Sequence, residues 1–235
     1  MSAATDIVPL AAHRLAAHGL AVHSLADLDD IELGVRMLAA IPVHEGRDRA
    51  TLHRWAAAAT AFGAGLDPVP HSARVVESGG GIPSGLLARY TSRPPTVELF
   101  TDTIAAAEHM IDQLGWRHWY PSGSVRAAAL AHEAAHGLLH HGGAKAELRR
   151  ALGHVVIHLG AQRIYGHVVG ADELAAHAYA RAQCGLGRSP LLLTAALATI
   201  SGTGVPQTPS KTISPKRIRP ISAIPGADAR QERGK

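Results

Sequence analysis

Two histidines and a glutamate in the middle of the chain have the spacing of a hydrolytic metal site. The segment His132-Glu133-Ala-Ala-His136 follows the pattern H-E-x-x-H. On a helix, residues four apart lie on one face, so both imidazoles can approach one metal ion while Glu133 reaches its water. Zinc lowers the pKa of such a water from about 15.7 to about 7, and the carboxylate takes the proton as the water attacks a carbonyl. The pattern predicts a Zn2+ hydrolase with His132 and His136 as ligands and Glu133 as general base.

A catalytic zinc site usually has three protein ligands and one open position, so a third ligand must come from elsewhere. The single cysteine, Cys184, excludes both a Cys-based zinc site and an internal disulfide. His140 and His141 lie on the same helix as the pattern. His140 is eight residues after His132, about 12 Å along a helix axis, which is too far for the same ion. Both are instead expected to interact with the carbonyls at the helix end.

The best candidate for the third ligand is Glu173, which follows His136 by 37 positions. That distance leaves room for a second helix to return antiparallel to the first. Asp172 stays an alternative, since one residue of helical register decides which carboxylate faces the metal, and His177 stays a second alternative as the third ligand. His177 is four residues after Glu173, so it shares its face and could hydrogen-bond a ligand from behind.

The transition state of peptide hydrolysis also needs a hydrogen-bond donor near the developing oxyanion. Tyr165, His167 and Tyr179 are available for this role. Their spacing singles out none of the three.

The metal-binding segment is predicted to lie on a helix that starts at Ser122 or Ser124 and stops at Gly142-Gly143. Two strands are predicted before it, at residues 86–90 and 96–101, with a hairpin connection of four or five residues. Residues 98–100 could offer a strand edge to a peptide, or could form a covered core strand. The other predicted elements are a loop at residues 66–85 and helices at residues 7–18, 24–41, 48–62, 104–114, 145–164, 171–184 and 190–200.

Length and charge divide the 235 residues into three parts. The sequence predicts a helical N-terminal cap at residues 1–65, a metallopeptidase domain at residues 66–204 and a disordered tail at residues 205–235. The tail holds seven Lys and Arg against two Asp and Glu, a net charge of +5, within a chain of net charge +4. The first 204 residues therefore carry −1, so nucleic-acid binding is not expected of the folded part and is left to the basic tail.

Neither a signal peptide nor a membrane span is predicted. Asp6, His13 and Arg14 interrupt the start of the chain, and the longest uncharged apolar runs are shorter than the roughly 20 residues a span needs. These features indicate a soluble, cytoplasmic protein. The predicted fold class is α+β, a mostly helical core with a small hairpin or sheet.

These pieces together resemble the gluzincin-type zinc metallopeptidases, and within them the ImmA/IrrE family. The matching parts are the strand at 96–101, the helix at 129–140, and Glu173 with Tyr179-Ala180, within roughly residues 86–190. The insert between the two helices is longer than that family's, and Cys184-Gly-Leu-Gly replaces its usual apolar stretch ending in Pro. The resemblance implies a zincin-like fold and a cytoplasmic peptidase that acts on a protein or peptide, with a transcriptional repressor as one such substrate.

Two other functions stay open at this point. The helix that carries the metal ligands could have only a structural role, in a catalytically inactive zinc-binding regulatory module. Alternatively, the N-terminal helices and the basic tail could belong to a DNA-associated regulator. The sequence leaves the oligomeric state undetermined.

Overall fold

The computed structural model describes residues 22–69, 73–140 and 143–202. Within them the protein has an α+β fold with eight helices, one three-stranded sheet and one two-stranded sheet, which confirms the predicted fold class. The helix predicted at residues 7–18, the tail predicted at residues 205–235 and His141 lie outside the described residues. The predicted domain boundaries after residues 65 and 204 stay predictions.

The described chain begins with three helices, α1 (Val22–Ala26), α2 (Asp30–Ala39) and α3 (Arg49–Ala64). A single helix was predicted for residues 24–41, but the structure divides it before Asp30. Asp29 caps α2, because its side chain accepts a hydrogen bond of 2.7 Å from the N–H of Glu32. A second carboxylate, that of Asp48, caps α3 in the same way, and this helix was predicted to begin at residue 48.

A small mixed sheet follows, made of β1 (Arg74–Ser78), β2 (Ala88–Ser92) and β3 (Pro95–Phe100). The strand order is β1-β3-β2, with β1 parallel and β2 antiparallel to β3. The hairpin of β2 and β3 was predicted, although its connection has two residues rather than four or five. The loop predicted at residues 66–85 is wrong at β1. Of the two alternatives for residues 98–100, the core strand is confirmed and the strand edge is not, because β3 is the central strand and β2 is an outer one.

The rest of the described chain alternates long helices with a second hairpin. The helix predicted at residues 145–164 is wrong beyond Leu152, where Gly153 adopts a φ of +64° and ends it. The β-branched run Val155-Val156-Ile157 then forms a strand, as such residues prefer. The elements are α4 (Thr101–Gln113), α5 (Ser124–His140), α6 (Ala144–Leu152), β4 (Val155–Leu159), β5 (Gln162–Tyr165), α7 (Ala171–Gln183) and α8 (Pro190–Gly202).

One hydrophobic core joins the first helices to the last two. Leu33 of α2, Trp55 of α3, Leu174 of α7 and Leu192 of α8 are buried in the same cluster. A buried carboxylate fixes the entry to α8, since Asp30 accepts hydrogen bonds from the side chains of two arginines and from the backbone N–H of residue 189. The N-terminal helices therefore support α7 and α8, the two helices that border the candidate site.

The closest approach in this core is between α3 and α7. A Cβ atom on Gly63 would lie 2.0 Å from the backbone oxygen of Ala175, so only glycine fits there. We expect Gly63→Ala to lower the free energy of unfolding by at least about 2 kcal/mol, because neither backbone can move away without repacking. Urea denaturation measures this change.

Gly137 of α5 provides the matched control for that substitution. A Cβ atom there meets no atom within 4 Å, so Gly137→Ala should leave the stability unchanged or raise it by up to about 1 kcal/mol. An equal loss in both variants would show that the α3–α7 contact is not the cause.

No helix among residues 22–69, 73–140 and 143–202 is long and apolar enough to cross a membrane.

Candidate metal centre

Helix α5 carries the H-E-x-x-H segment and presents its two histidines together. His132 and His136 lie one helical turn apart, and their Nε2 atoms are 3.1 Å from each other. Both side chains are about one-sixth exposed, at 16% and 15%. The helix starts at Ser124, one of the two predicted positions. Local helical geometry alone therefore brings the two imidazole nitrogens to one point.

Helix α7 supplies the third group from its first turn. Glu173 Oε1 lies 3.0 Å from His136 Nε2, and Oε2 lies 3.2 Å from His132 Nε2. Small side chains separate the two helices, since Ala135 of α5 and Ala176 of α7 are fully buried against each other's helix. The close packing of α5 and α7 thus places a buried carboxylate against both imidazoles.

His132, His136 and Glu173 could hold a metal ion. Their candidate ligand atoms all lie within 4.8 Å of one another. Ligands about 2.0–2.1 Å from a tetrahedral ion are separated by about 3.3 Å, and the nearest donor pairs here, at 3.0, 3.1 and 3.2 Å, lie close to that value. Glu173 Oε2 is buried without a hydrogen bond, as expected of an oxygen that serves as a metal ligand. The donor set fits a divalent cation.

The electrostatics of the metal-free cluster favour an ion pair. Burial alone would raise the pKa of Glu173, but His136 and His132 hold that pKa well below its usual value. Burial would likewise lower the pKa of His136, but the Glu173 carboxylate raises it to about 9. At neutral pH the metal-free protein therefore carries a proton on His136, which a metal ion has to displace.

This displacement predicts how metal binding depends on pH. Below pH 9 a proton competes for His136, so the apparent affinity for Zn2+ should fall about tenfold for each unit from pH 9 towards 7, with about one proton released per ion. Calorimetry of Zn2+ binding at pH 7, in two buffers of different ionisation enthalpy, measures the released proton. A pH-independent affinity between pH 7 and 8.5 would contradict the raised pKa.

Glu133 lies beside the cluster, and both line one cavity. Burial raises the pKa of Glu133 above its usual value, while His132 and His136 act against this rise. The backbone amide of Tyr90, in the outer strand β2, also lowers it. A carboxylate with a raised pKa is a suitable proton carrier, since transfer is most efficient when the pKa lies near the working pH.

His177 packs behind the cluster. It is 5% exposed, and its ring centroid lies 4.4 Å from that of His132, with the planes tilted by 53°. Burial lowers the pKa of His177 well below its usual value, and His132 lowers it further, so the ring is neutral at pH 7. The Nδ1 atoms of both rings have no hydrogen-bond partner. His177 therefore supports His132 by ring packing rather than through the hydrogen bond predicted from its spacing.

The other candidates lie elsewhere. Asp172 lines a separate small cavity with His140 and His167, so the register of α7 turns Glu173 and not Asp172 towards the histidine pair. Tyr179 is buried, and its hydroxyl accepts a hydrogen bond of 3.2 Å from the N–H of Val69. Neither these residues nor Tyr165 lines the cavity beside the cluster.

Part of the cavity wall comes from elements for which the sequence predicted no role at the site. Its volume is about 110 Å³, and helix α8 and the segment at residues 84–88 form much of its wall. Helix α8 was predicted only as a helix at residues 190–200, with no role at the site. Its mostly apolar sequence, so soon after the Glu173 helix, was the available signal, because such a helix must pack against its neighbour.

Comparisons with known proteins assign no family to the chain. No model of a protein family matches it, and neither a curated protein nor a solved structure is significantly similar to it. Functional inference therefore depends on the residues of the site.

Proposed function

We propose that the protein is a zinc-dependent metallopeptidase that hydrolyses peptide bonds. The observation that supports this most directly is the meeting of His132, His136 and Glu173 at one point, with Glu133 in the adjoining cavity. Three protein ligands and one open position distinguish catalytic zinc sites from structural ones, which are closed by four. A purely structural site would not need a carboxylate with a raised pKa in an accessible cavity.

Zinc is the proposed metal because of the donor set. Two imidazole nitrogens and one carboxylate oxygen suit Zn2+, whereas Ca2+ and Mg2+ prefer six or more oxygen ligands. The cluster of the described residues contains no thiolate, and the chain's one cysteine, Cys184, lies at the end of α7.

The roles of the residues follow from their positions. Zinc, when bound, polarises a carbonyl and lowers the pKa of a water from about 15.7 to about 7. His132, His136 and Glu173 hold the ion, and Glu173 balances one of its charges. Glu133 accepts the proton of the attacking water on its carboxylate and passes it to the leaving amine nitrogen. His177 fixes the orientation of the His132 ring.

The proposed substrate is a protein segment in extended conformation. Strand β2 pairs only with β3 among the described strands, so no described strand occupies its other edge, where a peptide strand could pair. Ala88 of β2 lines the cavity, and the backbone of Tyr90 adjoins Glu133. The resemblance to the ImmA/IrrE family suggests an intracellular substrate, with a transcriptional repressor as the first to test.

Removal and return of the metal test this proposal. The full chain, loaded with one Zn2+ per molecule, should cleave members of a mixed peptide library, detected by mass spectrometry. A chelator should abolish cleavage, and one equivalent of Zn2+ should restore it. Cleavage that persists in the chelated protein, or a zinc-loaded chain that cuts no peptide, would refute the proposed function.

A further inference from the structure

The hairpin of β4 and β5 carries a concentration of exposed apolar side chains. Among the described residues eight large apolar side chains are strongly exposed, and four of them, Val156, Ile157, Leu159 and Ile164, are on this hairpin at 43–58% exposure. The two strands contact chiefly each other, and neither packs extensively against another described element. A two-stranded hairpin is only marginally stable in water by itself, so a surface that covers its apolar side chains would stabilise it.

Strand pairing places most of these side chains on one face. Ile157 pairs directly with Ile164, and Leu159 lies on the same face two residues further along β4. His158 and Arg163 form the pair on the opposite face. Strand β4 contains no Asp, Glu, Lys or Arg. The hairpin is therefore amphipathic, with an apolar face and a basic one.

Basic side chains are concentrated in the same part of the chain. Residues 143–167 hold four Lys and Arg against one Glu, a net charge of +3, whereas the other residues among the first 204 carry −4. Arg149 and Arg150 lie in the last turn of α6, immediately before the hairpin. Within the described part of the chain, neither these two arginines nor Lys145 and Arg163 form an ion pair. Their charges are therefore available to an external anion.

This charge decides which surface suits the apolar face. A second copy of the chain would bring two segments of net charge +3 together, and like charges repel. A nucleic acid would offer phosphates to the cations but would leave the aliphatic side chains uncovered. The surface of an anionic bilayer offers acyl chains to the apolar face and negative headgroups to the cations.

We propose that the β4–β5 hairpin docks the protein on an anionic phospholipid surface. Ile157, Leu159 and Ile164 enter the boundary between acyl chains and headgroups, while Arg163 and the cations of α6 contact the headgroups. The inference goes beyond the proposed function and does not depend on the metal. Each Lys or Arg near an anionic surface strengthens binding about fivefold, so loss of the lipid charge should weaken binding at least about tenfold.

Flotation of the full chain with lipid vesicles tests this docking. Vesicles of phosphatidylcholine with about 30% phosphatidylserine are compared with vesicles of phosphatidylcholine alone, at about 0.1 M salt. The expected result is binding at least about tenfold tighter to the anionic vesicles. Equal binding to both kinds of vesicle, or binding to neither, would overturn the inference.

Replacing the apolar face locates the contact. The double variant Ile157→Thr, Ile164→Thr keeps the preference for β-structure and should bind anionic vesicles about tenfold more weakly. The matched control, Val75→Thr with Ile82→Thr, changes two exposed side chains outside the hairpin and should leave binding unchanged. Circular dichroism checks that both variants fold. An equal effect of the two double variants would mean that the hairpin is not the contact.

A second pair of variants tests the charge and leaves the apolar face intact. Arg150→Gln with Arg163→Gln should weaken binding to anionic vesicles about tenfold. Arg74→Gln with Arg93→Gln removes the same charge from exposed positions of the other sheet and should stay within about threefold of the unmodified protein. Residues 205–235, with a net charge of +5, are the same in all variants, so equal binding by all of them would assign the lipid contact to that segment and refute the hairpin.

The other two occupants predict different results. A nucleic-acid surface would bind duplex DNA more tightly than lipid and would lose this affinity in Arg150→Gln with Arg163→Gln but not in Ile157→Thr with Ile164→Thr. A second copy would give a dimer in lipid-free ultracentrifugation that Ile157→Thr with Ile164→Thr dissociates. Either result would overturn the lipid assignment and leave the proposed zinc site untouched.

Discussion

Glu133→Gln is expected to remove peptide hydrolysis and to leave the metal in place. Glutamine keeps the size and shape of the side chain, but its amide cannot accept and return a proton at neutral pH. A positioned acid or base contributes about 10²- to 10⁴-fold to the rate, and kcat/KM should fall by that factor. Glu133 is not one of the three clustered donors, so zinc content should stay near one ion per chain.

The measurement pairs peptide cleavage with metal analysis on the same preparation. Glu147→Gln is the matched control, because Glu147 lies exposed on α6 and does not line the cavity. That variant should keep both the activity and the zinc of the unmodified protein. Full activity in Glu133→Gln would show that Glu133 is not the general base. The proposed mechanism of hydrolysis would then be wrong.

The part of the site that the sequence predicted depends on local geometry. The spacing of His132 and His136 acts within a single helix, so their meeting follows from helical periodicity alone. Glu173 was predicted from the chain length needed for a returning helix, and α7 does pack against α5. The choice between Glu173 and Asp172 needed the structure, because one residue rotates a helix by about 100°.

The elements that the sequence failed to predict depend on contacts distant in the chain. Strand β1 forms because it pairs with β3, about 22 residues later in the chain, with Arg74 opposite Thr96. No local sequence pattern indicates that pairing. The hairpin of β4 and β5 interrupts a segment whose apolar spacing also suits a helix, and Gly153 and Gly160, both at positive φ, decide the outcome. The same reason explains why the sequence left residues 98–100 open between a strand edge and a core strand, since strand order is a tertiary property.

The support around the ligands was only partly visible in the sequence. The position of His177 four residues after Glu173 indicated a shared face, but not that its ring would pack, tilted, against that of His132. The role of α8 in the cavity wall could not be predicted from the sequence, because this helix has no charged or metal-binding residue. Apolar residues beside a metal site form no recognisable sequence pattern, because only tertiary packing places them there.

Glu173→Gln should abolish tight zinc binding, whereas Asp172→Asn should not. Glutamine fills the same volume, so the substitution removes the charge that balances the metal and the oxygen that holds it. Partners that only orient a ligand cost about 10- to 100-fold in metal affinity, and loss of one of three ligands should cost more than 100-fold. Asp172 lines a different cavity, so its variant should stay within about threefold of the unmodified protein.

Competition with a chromophoric chelator measures both affinities, and circular dichroism of the metal-free proteins shows that the fold survives. Both variants replace a carboxylate by an amide, at adjacent residues of α7. A difference in zinc affinity between them therefore reflects which side chain faces the metal, and not the loss of a negative charge alone. The reverse result, with zinc lost in Asp172→Asn and kept in Glu173→Gln, would mean that α7 presents its other carboxylate to the metal. Equal retention would mean that the two histidines of α5 recruit a ligand from outside this helix.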